Sequence, residues 1–329
     1  MRNPDANFTK SGAFVRPQAN FRSWISSDPG SKYTPEAGRY HLYVSYACPW
    51  AHRTLITRKV KGLEDIVSFI SLTRHLLTWL GWRFASLEDK LAGENVGPDP
   101  LHPDITKLQE LYAKAAPEYD GRWTVPILWD KQTETIVSNE SSEIVRMLNT
   151  AFDSLLAEAF RQPIVDLYPR DLQSKIDEAN EWHYSGINNG VYKAGLAKSQ
   201  EAYKAAVFKL FESLDRAEQH LSSTSGPYYF GDQLTETDIR LFVTIIRFDP
   251  VYVLHFKCNV RDIRNGYPAI HEWLRRLYWG NDAFASTTDF EHIKRHYMES
   301  HDFINPLGIV AAGPVPHIMG EDRAASVET

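Results

Sequence analysis

Pro49 follows a thiol and opens a helix-forming run, and this placement constrains the fold more than any other feature of the chain. The apolar run Tyr40–Val44 reads as a strand, a turn of small residues follows, and a helical stretch runs from Pro49 to about Lys61. Proline suits the first helical position, because the N–H it lacks would have no intrahelical acceptor there. Cys48 therefore sits at a helix N-terminus, where unmatched N–H groups and the helix dipole favour negative charge. A thiol held there is more readily the thiolate, the form that reacts.

The strand and helix alternation continues beyond it. Ile66–Leu72 reads as a second strand. Thr124–Trp129 and Thr135–Val137 read as a hairpin across Asp130-Lys131-Gln132, and a helix follows from Ser138 or Asn139 to Thr150. A β-α-β, then β-β-α order with Cys-Pro at the first helix is that of a thioredoxin-like half. Residues 73–121, rich in Gly and Pro, are too long for an ordinary connection and are expected to be functional or self-packed. After Asp153 the pattern becomes helical, with apolar residues three and four apart in Ile176–Asn188, Ser199–Leu221, Asp238–Phe248 and Ala269–Leu277. Thr235-Glu236-Thr237-Asp238 has the form of a capping box. The expected class is α/β plus all-α, in four parts. Residues 1–38 form an extended arm whose aromatics (Phe8, Phe14, Phe21, Trp24) dock on the body. Residues 39–152 form the thioredoxin-like domain, 153–300 an all-helical domain and 301–329 a tail that is irregular but ordered near its start.

Composition narrows the function. A net charge of −6 points to neither nucleic acid nor an anionic membrane surface as a partner. The two cysteines, Cys48 and Cys258, form no disulfide framework and have no metal-ligand spacing, so no metal is expected. That usage fits a reducing compartment. No apolar run is long enough to span a bilayer, and Met1-Arg2-Asn3-Pro4-Asp5 lacks the apolar core of a secretory signal. Arg2, Arg16 and Arg22 leave an organellar leader open, against which Asp5 and Asp28 argue. A cytoplasmic location is expected.

Three features in order describe a glutathione site. Cys48 would meet the sulfur. Val125-Pro126 reads either as an edge-strand proline or as a cis-proline turn that presents the Val125 backbone to a peptide-like ligand. Glu140-Ser141-Ser142-Glu143 opens the next helix. Its N–H groups and the Ser141 hydroxyl suit a carboxylate and Glu140 an ammonium, while plain capping is the alternative. Arg122 either meets a glutathione carboxylate or is a solvated loop charge. His52, one turn after Cys48, is read as a packed structural histidine rather than a base. Arg53 and Arg58 are read as solvated or salt-bridged, and Cys258 as a structural thiol.

Longer motifs carry a resemblance. Ser45-x-Ala47-Cys48-Pro49-Trp50-Ala51-His52-Arg53, Gly81-Trp82-x-Phe84, Tyr119-x-Gly121-Arg122-x-Thr124-Val125-Pro126-x-Leu128-Trp129-Asp130 and Ser138-Asn139-Glu140-Ser141-Ser142-Glu143-Ile144 resemble the glutathionyl-hydroquinone reductases. These are the Xi class of glutathione transferases, relatives of the Omega class. Asn188-Asn189-Gly190-Val191-Tyr192-Lys193-Ala194-Gly195, His255-Phe256-Lys257-Cys258-Asn259 and Ser300-His301-x-x-Ile304-Asn305-Pro306 extend the likeness through the helical half; it weakens around His102–Leu108. The resemblance implies a thioredoxin-like N-terminal domain, an all-helical glutathione-transferase C-terminal domain and a homodimer. It implies glutathione as co-substrate, glutathionylated hydroquinones as substrates and Cys48 as nucleophile. It further implies Tyr192 as proton donor, Tyr252 and Tyr297 as pocket tyrosines that hydrogen-bond the thiolate, and Trp82 as a residue packing on glutathione. Two other readings compete: a general Omega-like thioltransferase or dehydroascorbate reductase, and a non-catalytic module that binds aromatic ligands. An intact Cys48 argues against the second of these.

Overall fold

The computed structural model describes residues 7–73, 76–77, 81–89, 91 and 93–320. The readings of residues 1–6 and 321–329, and of 74–75, 78–80, 90 and 92 in the long segment, lie outside the described residues. The chain resolves into two compact units. One is Arg16–Ile176 with Thr287–Ala311; the other comprises the described parts of Met1–Val15, Asp177–Ser286 and Ala312–Thr329.

In the first unit β1 (Tyr40–Val44) is buried along its whole length and leads into α1 (Pro49–Val60). β2 (Ser68–Ser71) pairs parallel with β1, in the register His41↔Ser68 to Val44↔Ser71. A small antiparallel pair follows, β3 (Leu76–Leu77) with β4 (Gly81–Trp82), and then α2 (Leu108–Ala115). β5 (Ile127–Asp130) runs antiparallel to β1 and to β6 (Thr135–Ser138), giving the order β2-β1-β5-β6. α3 (Ser141–Thr150) packs against α1. This is the thioredoxin-like arrangement. A buried ion pair at the end of its two central strands, Arg39 Nε to Asp130 Oδ1 at 2.7 Å, ties the start of β1 to the end of β5.

Two details differ from the sequence expectation. The hairpin strand starts at Ile127, not Thr124, because Pro126 has no N–H for the ladder and its peptide bond to Val125 is cis. The long segment holds a helix that was not expected, α2. Its Leu108, Leu111 and Tyr112 lie three and four apart and are all buried, and the Glu110 carboxylate accepts the backbone N–H groups of Thr106 and Lys107. The expected self-packing is met by this helix together with the β3–β4 pair.

The chain continues with α4 (Gln173–His183), a π-type turn at Tyr184–Asn188, α5 (Gly190–Gly195), α6 (Gln200–Ser223) and α7 (Glu236–Ile245). A second π-type turn, Phe248–Tyr252, precedes α8 (Ile263–Gly266), α9 (Pro268–Gly280), α10 (Asp282–Ala285) and α11 (Phe290–Ser300). The capping box at Thr235 and Asp238 forms, and the Asp238 carboxylate also accepts Tyr229 N–H at 2.7 Å and Trp273 Nε1–H at 3.0 Å.

The units divide the chain at other points than the boundaries read from sequence. α11 belongs with the sheet, where Thr287 just before it bonds His52 and His296 stacks on Trp82. The arm is shared. Gly12 O accepts from Lys198 N in the helical unit, whereas Phe21 and Ser23 pair with Asn139 and Val137 at the edge of β6. Trp24 does not dock: it is 45% exposed. Among the described residues no helix is long and apolar enough to cross a membrane.

Candidate active site

Cys48 closes the turn after β1 and is the N-cap of α1, with extended backbone (φ −80°, ψ 118°) and Pro49 behind it. Its N–H donates to Ser45 O at 3.0 Å, and its carbonyl accepts His52 N–H at 2.9 Å, so the cap is fixed on both sides. The residue is 8% exposed, and Sγ lies 3.6 Å from Val125 O. The cis peptide Val125–Pro126 and the thiol at the helix end are thus brought together, though 77 residues separate them in the chain. The other cysteine is unlike it: Cys258 is fully buried and burial pushes its thiol up, away from the reactive form.

The N-terminus of α3 lies in the same unit. Glu140 is its N-cap and accepts from Ser142 N at 3.0 Å and Ser142 Oγ at 2.8 Å, so the capping role is present. Ser141 is 4% exposed, and its hydroxyl accepts from Arg53 Nη1 at 3.5 Å. Of the two alternatives read for Arg53, solvated or salt-bridged, the first does not hold. Arg53 is 1% exposed, with its guanidinium 4.5 Å from the Trp50 ring centroid. A buried cation behind the first turn of α3 adds to the helix dipole, and together they favour an anionic group at Ser141. Arg58 donates to the Val67 and Glu64 carbonyls. Arg122 is exposed, and its carbonyl accepts the Tyr119 hydroxyl at 2.9 Å.

Trp82, at the end of β4, is 7% exposed and stacks on His296 of α11 at 4.7 Å and 15°. Sequence reasoning did not single out His296. Its only signal is a place next to Tyr297, which is 2% exposed and in ring contact with His296 and His301. His52 is fully buried, with Nε2 2.9 Å from Thr287 Oγ1, the geometry of a packed histidine.

The sheet unit therefore holds Cys48, Trp82, Arg122, Val125, Pro126, Glu140, Ser141 and Tyr297, and the helical unit holds Tyr192 and Tyr252. In the helical unit the Tyr192 and Tyr252 rings meet at 6.2 Å and 61°. Phe256 contacts Tyr192 at 5.4 Å and stacks flat on Tyr252 at 5.4 Å and 10°. Tyr192 is half-buried and Tyr252 fully buried. Among the described residues no cluster of His, Cys, Asp or Glu is arranged to hold a metal ion. The sheet-unit groups can present a nucleophilic thiol beside a peptide backbone edge and an anion-binding helix end.

Two family descriptions match the chain: "Glutathione S-transferase, N-terminal domain" over residues 47–151 and "Glutathione S-transferase, C-terminal domain" over residues 200–276. The chain is 51% identical over 315 residues to glutathione S-transferase omega-like 2 of Schizosaccharomyces pombe, covering 94% of this chain and 96% of that protein. It is 51% identical over 309 residues to the glutathionyl-hydroquinone reductase YqjG of Escherichia coli, covering 92% and 89%. The solved glutathione-S-transferase Xi of Phanerochaete chrysosporium is similar at TM-score 0.90 and 56% identity, over 95% of this chain and 96% of that one. The glutathione-bound structure of YqjG is similar at TM-score 0.82 and 50% identity, over 90% and 92%.

Proposed function

This chain belongs to the Xi class of the glutathione transferases, and from that membership we propose that it is a glutathionyl-hydroquinone reductase, with glutathione as co-substrate. One observation carries the reading: Cys48 is the N-cap residue of α1, and its thiol lies 3.6 Å from the Val125 carbonyl oxygen beside a cis-proline. A thiol in that position suits disulfide formation with glutathione rather than the conjugating chemistry of a Ser or Tyr hydroxyl.

In the reaction the substrate sulfur is bonded to a ring carbon, a poor leaving group until the ring ketonises and takes a proton on that carbon. The Cys48 thiolate then attacks sulfur. The S–C bond breaks, its electron pair returns to the ring as phenolate, and Cys48–S–S–glutathione forms. A second glutathione thiolate attacks that disulfide, giving oxidised glutathione and restoring Cys48. Cys258 takes no part. Val125 and Pro126 align the glutathione backbone, Glu140 and Ser141 bind its γ-glutamyl end, Arg122 meets a carboxylate and Trp82 packs on the tripeptide. Tyr192 supplies the ring proton, while Tyr252 and Tyr297 hydrogen-bond sulfur and line the aromatic pocket. The mutual packing of Tyr192, Tyr252 and Phe256 supports an aromatic role for that group. The enzyme acts as a cytoplasmic homodimer in quinone detoxification, with no metal, nucleic acid or membrane partner.

A second reading, an Omega-like thioltransferase or dehydroascorbate reductase, draws on the fact that the sheet unit alone holds the thiol and the groups assigned to glutathione. One assay separates them. Wild type and Cys48→Ser are incubated with a glutathionyl-hydroquinone and glutathione, and hydroquinone release is followed. Release by wild type and a loss of at least about a thousandfold in the variant are expected. No release by wild type removes the reductase reading, and equal release by both removes Cys48 as nucleophile.

A further inference from the structure

The buried hydroxyl of Tyr112 joins the two chain segments assigned above to glutathione. Tyr112 lies on α2 with no exposed surface, and burial raises its pKa, so the phenol remains a proton donor. Its O–H donates to Thr124 O at 2.9 Å. The oxygen in turn accepts Thr124 N–H at 3.3 Å and Asn139 Nδ2–H at 3.0 Å. A phenol has one proton and two acceptor sites, and here all three are engaged. Thr124 directly precedes the Val125–Pro126 cis peptide, and Asn139 directly precedes Glu140 and Ser141.

The arm closes this network from the other side. Asn139 Oδ1 accepts Phe21 N–H at 3.1 Å, and Asn139 N–H donates to Phe21 O at 3.0 Å. The Phe21 ring meets Tyr112 at 5.8 Å and Tyr119 at 5.3 Å, and Tyr119 stacks on Tyr112 at 4.9 Å and 22°. The Tyr119 hydroxyl donates to Arg122 O, and its ring occupies the space where a side chain at Gly121 would stand. Arg122 and Thr124 lie on the loop between α2 and β5 and Asn139 on the turn between β6 and α3, and all three are bonded to this one aromatic group.

We infer that Tyr112 is a positioning residue for glutathione: its hydroxyl sets the spacing between the Val125 backbone and the N-terminus of α3, backed by Tyr119 and by Phe21 of the arm. The inference rests on the glutathione site proposed above. Tyr112 touches no substrate in this account. It acts through Thr124 and Asn139, so its effect should fall on glutathione affinity rather than on the chemical step.

The test measures glutathione binding by titration calorimetry in a Cys48→Ser background, where no mixed disulfide forms, with and without Tyr112→Phe. Phenylalanine keeps the ring and removes three hydrogen bonds. Affinity should fall roughly tenfold, the effect of about one net buried hydrogen bond. In the Cys48 enzyme, Tyr112→Phe should raise KM for glutathione by a similar factor with kcat changed less than about twofold, a split that a loss of folded protein alone does not produce. Should Tyr112→Phe fail to fold, Asn139→Ala breaks the same link from α3 and should weaken binding in the same direction. Equal affinity in parent and variant overturns the positioning role alone. Failure of the Cys48→Ser parent to bind glutathione overturns the underlying site as well.

Discussion

At the scale of single residues, the aryl thioether demands something that a disulfide does not, namely a proton delivered to carbon. If Tyr192 delivers it, Tyr192→Phe slows hydroquinone release by on the order of a hundredfold. The same variant leaves reduction of a simple glutathione mixed disulfide within about twofold of wild type, since sulfur departs without carbon protonation. Comparing the two substrates in one preparation checks this; an equal drop in both assigns Tyr192 to packing. Residues whose chemistry depends on nearby chain were legible before the structure. Cys48 was set by the proline after it, and Val125 by the proline that follows it, which proves cis. Arg53 and His296 were not legible. In sequence each is an ordinary polar residue on a helix, and only the approach of distant elements buries Arg53 beneath Ser141 and lays His296 on Trp82.

At the scale of elements, the strands β1, β2, β5 and β6 and the long helices follow from apolar spacing, turn residues and caps. Among the elements that went unread, α2 has good helical spacing, but it is only eight residues long and follows a run of prolines and glycines. Packing between elements is harder to read than the elements themselves. Gly195 ends α5, and a Cβ there would clash with the Cβ–Cγ–Cδ1 edge of Phe256, whose ring stacks on Tyr252. Alanine in place of a helical glycine favours the helix by up to about 1 kcal/mol. Overpacking against a ring that cannot retreat costs about 1–3 kcal/mol, so it wins. Gly195→Ala should therefore lower Tm and, by displacing Phe256 from Tyr252, reduce hydroquinone release more than mixed-disulfide reduction. Calorimetry and the two-substrate assay read both effects; an unchanged Tm with unchanged rates rejects the packing argument.

At the scale of the whole molecule, both units bury imidazoles in the uncharged form. Desolvation, aided by Lys131 and His102, lowers His41 to about 3, and desolvation with Lys257 lowers His255 to about 4. In the unfolded chain both titrate near 6.5. Below that value the unfolded state takes up protons that the folded state refuses. The stability these groups contribute is therefore complete above pH 6.5 and is lost progressively as the pH falls towards 4 and 3. The urea midpoint should drop between pH 7 and pH 5, where most carboxylates remain ionised, and His41→Gln should flatten that drop. A midpoint independent of pH over this interval would falsify the account. The division into units was the least legible level of all. A change from alternating to helical pattern near Asp153 is visible in the sequence, but the return of Thr287–Ala311 to the sheet unit depends on contacts between segments more than a hundred residues apart.

That return sets an order of events in biosynthesis. A ribosome delivers the Cys48 turn, the sheet and the α3 terminus early, and domains usually fold as they emerge. Here His52 and Trp82 must wait for Thr287 and His296, and Thr287 is made 235 residues after His52. The surroundings of the thiol are completed late, so the nascent protein has its cysteine long before it has a finished nucleophile.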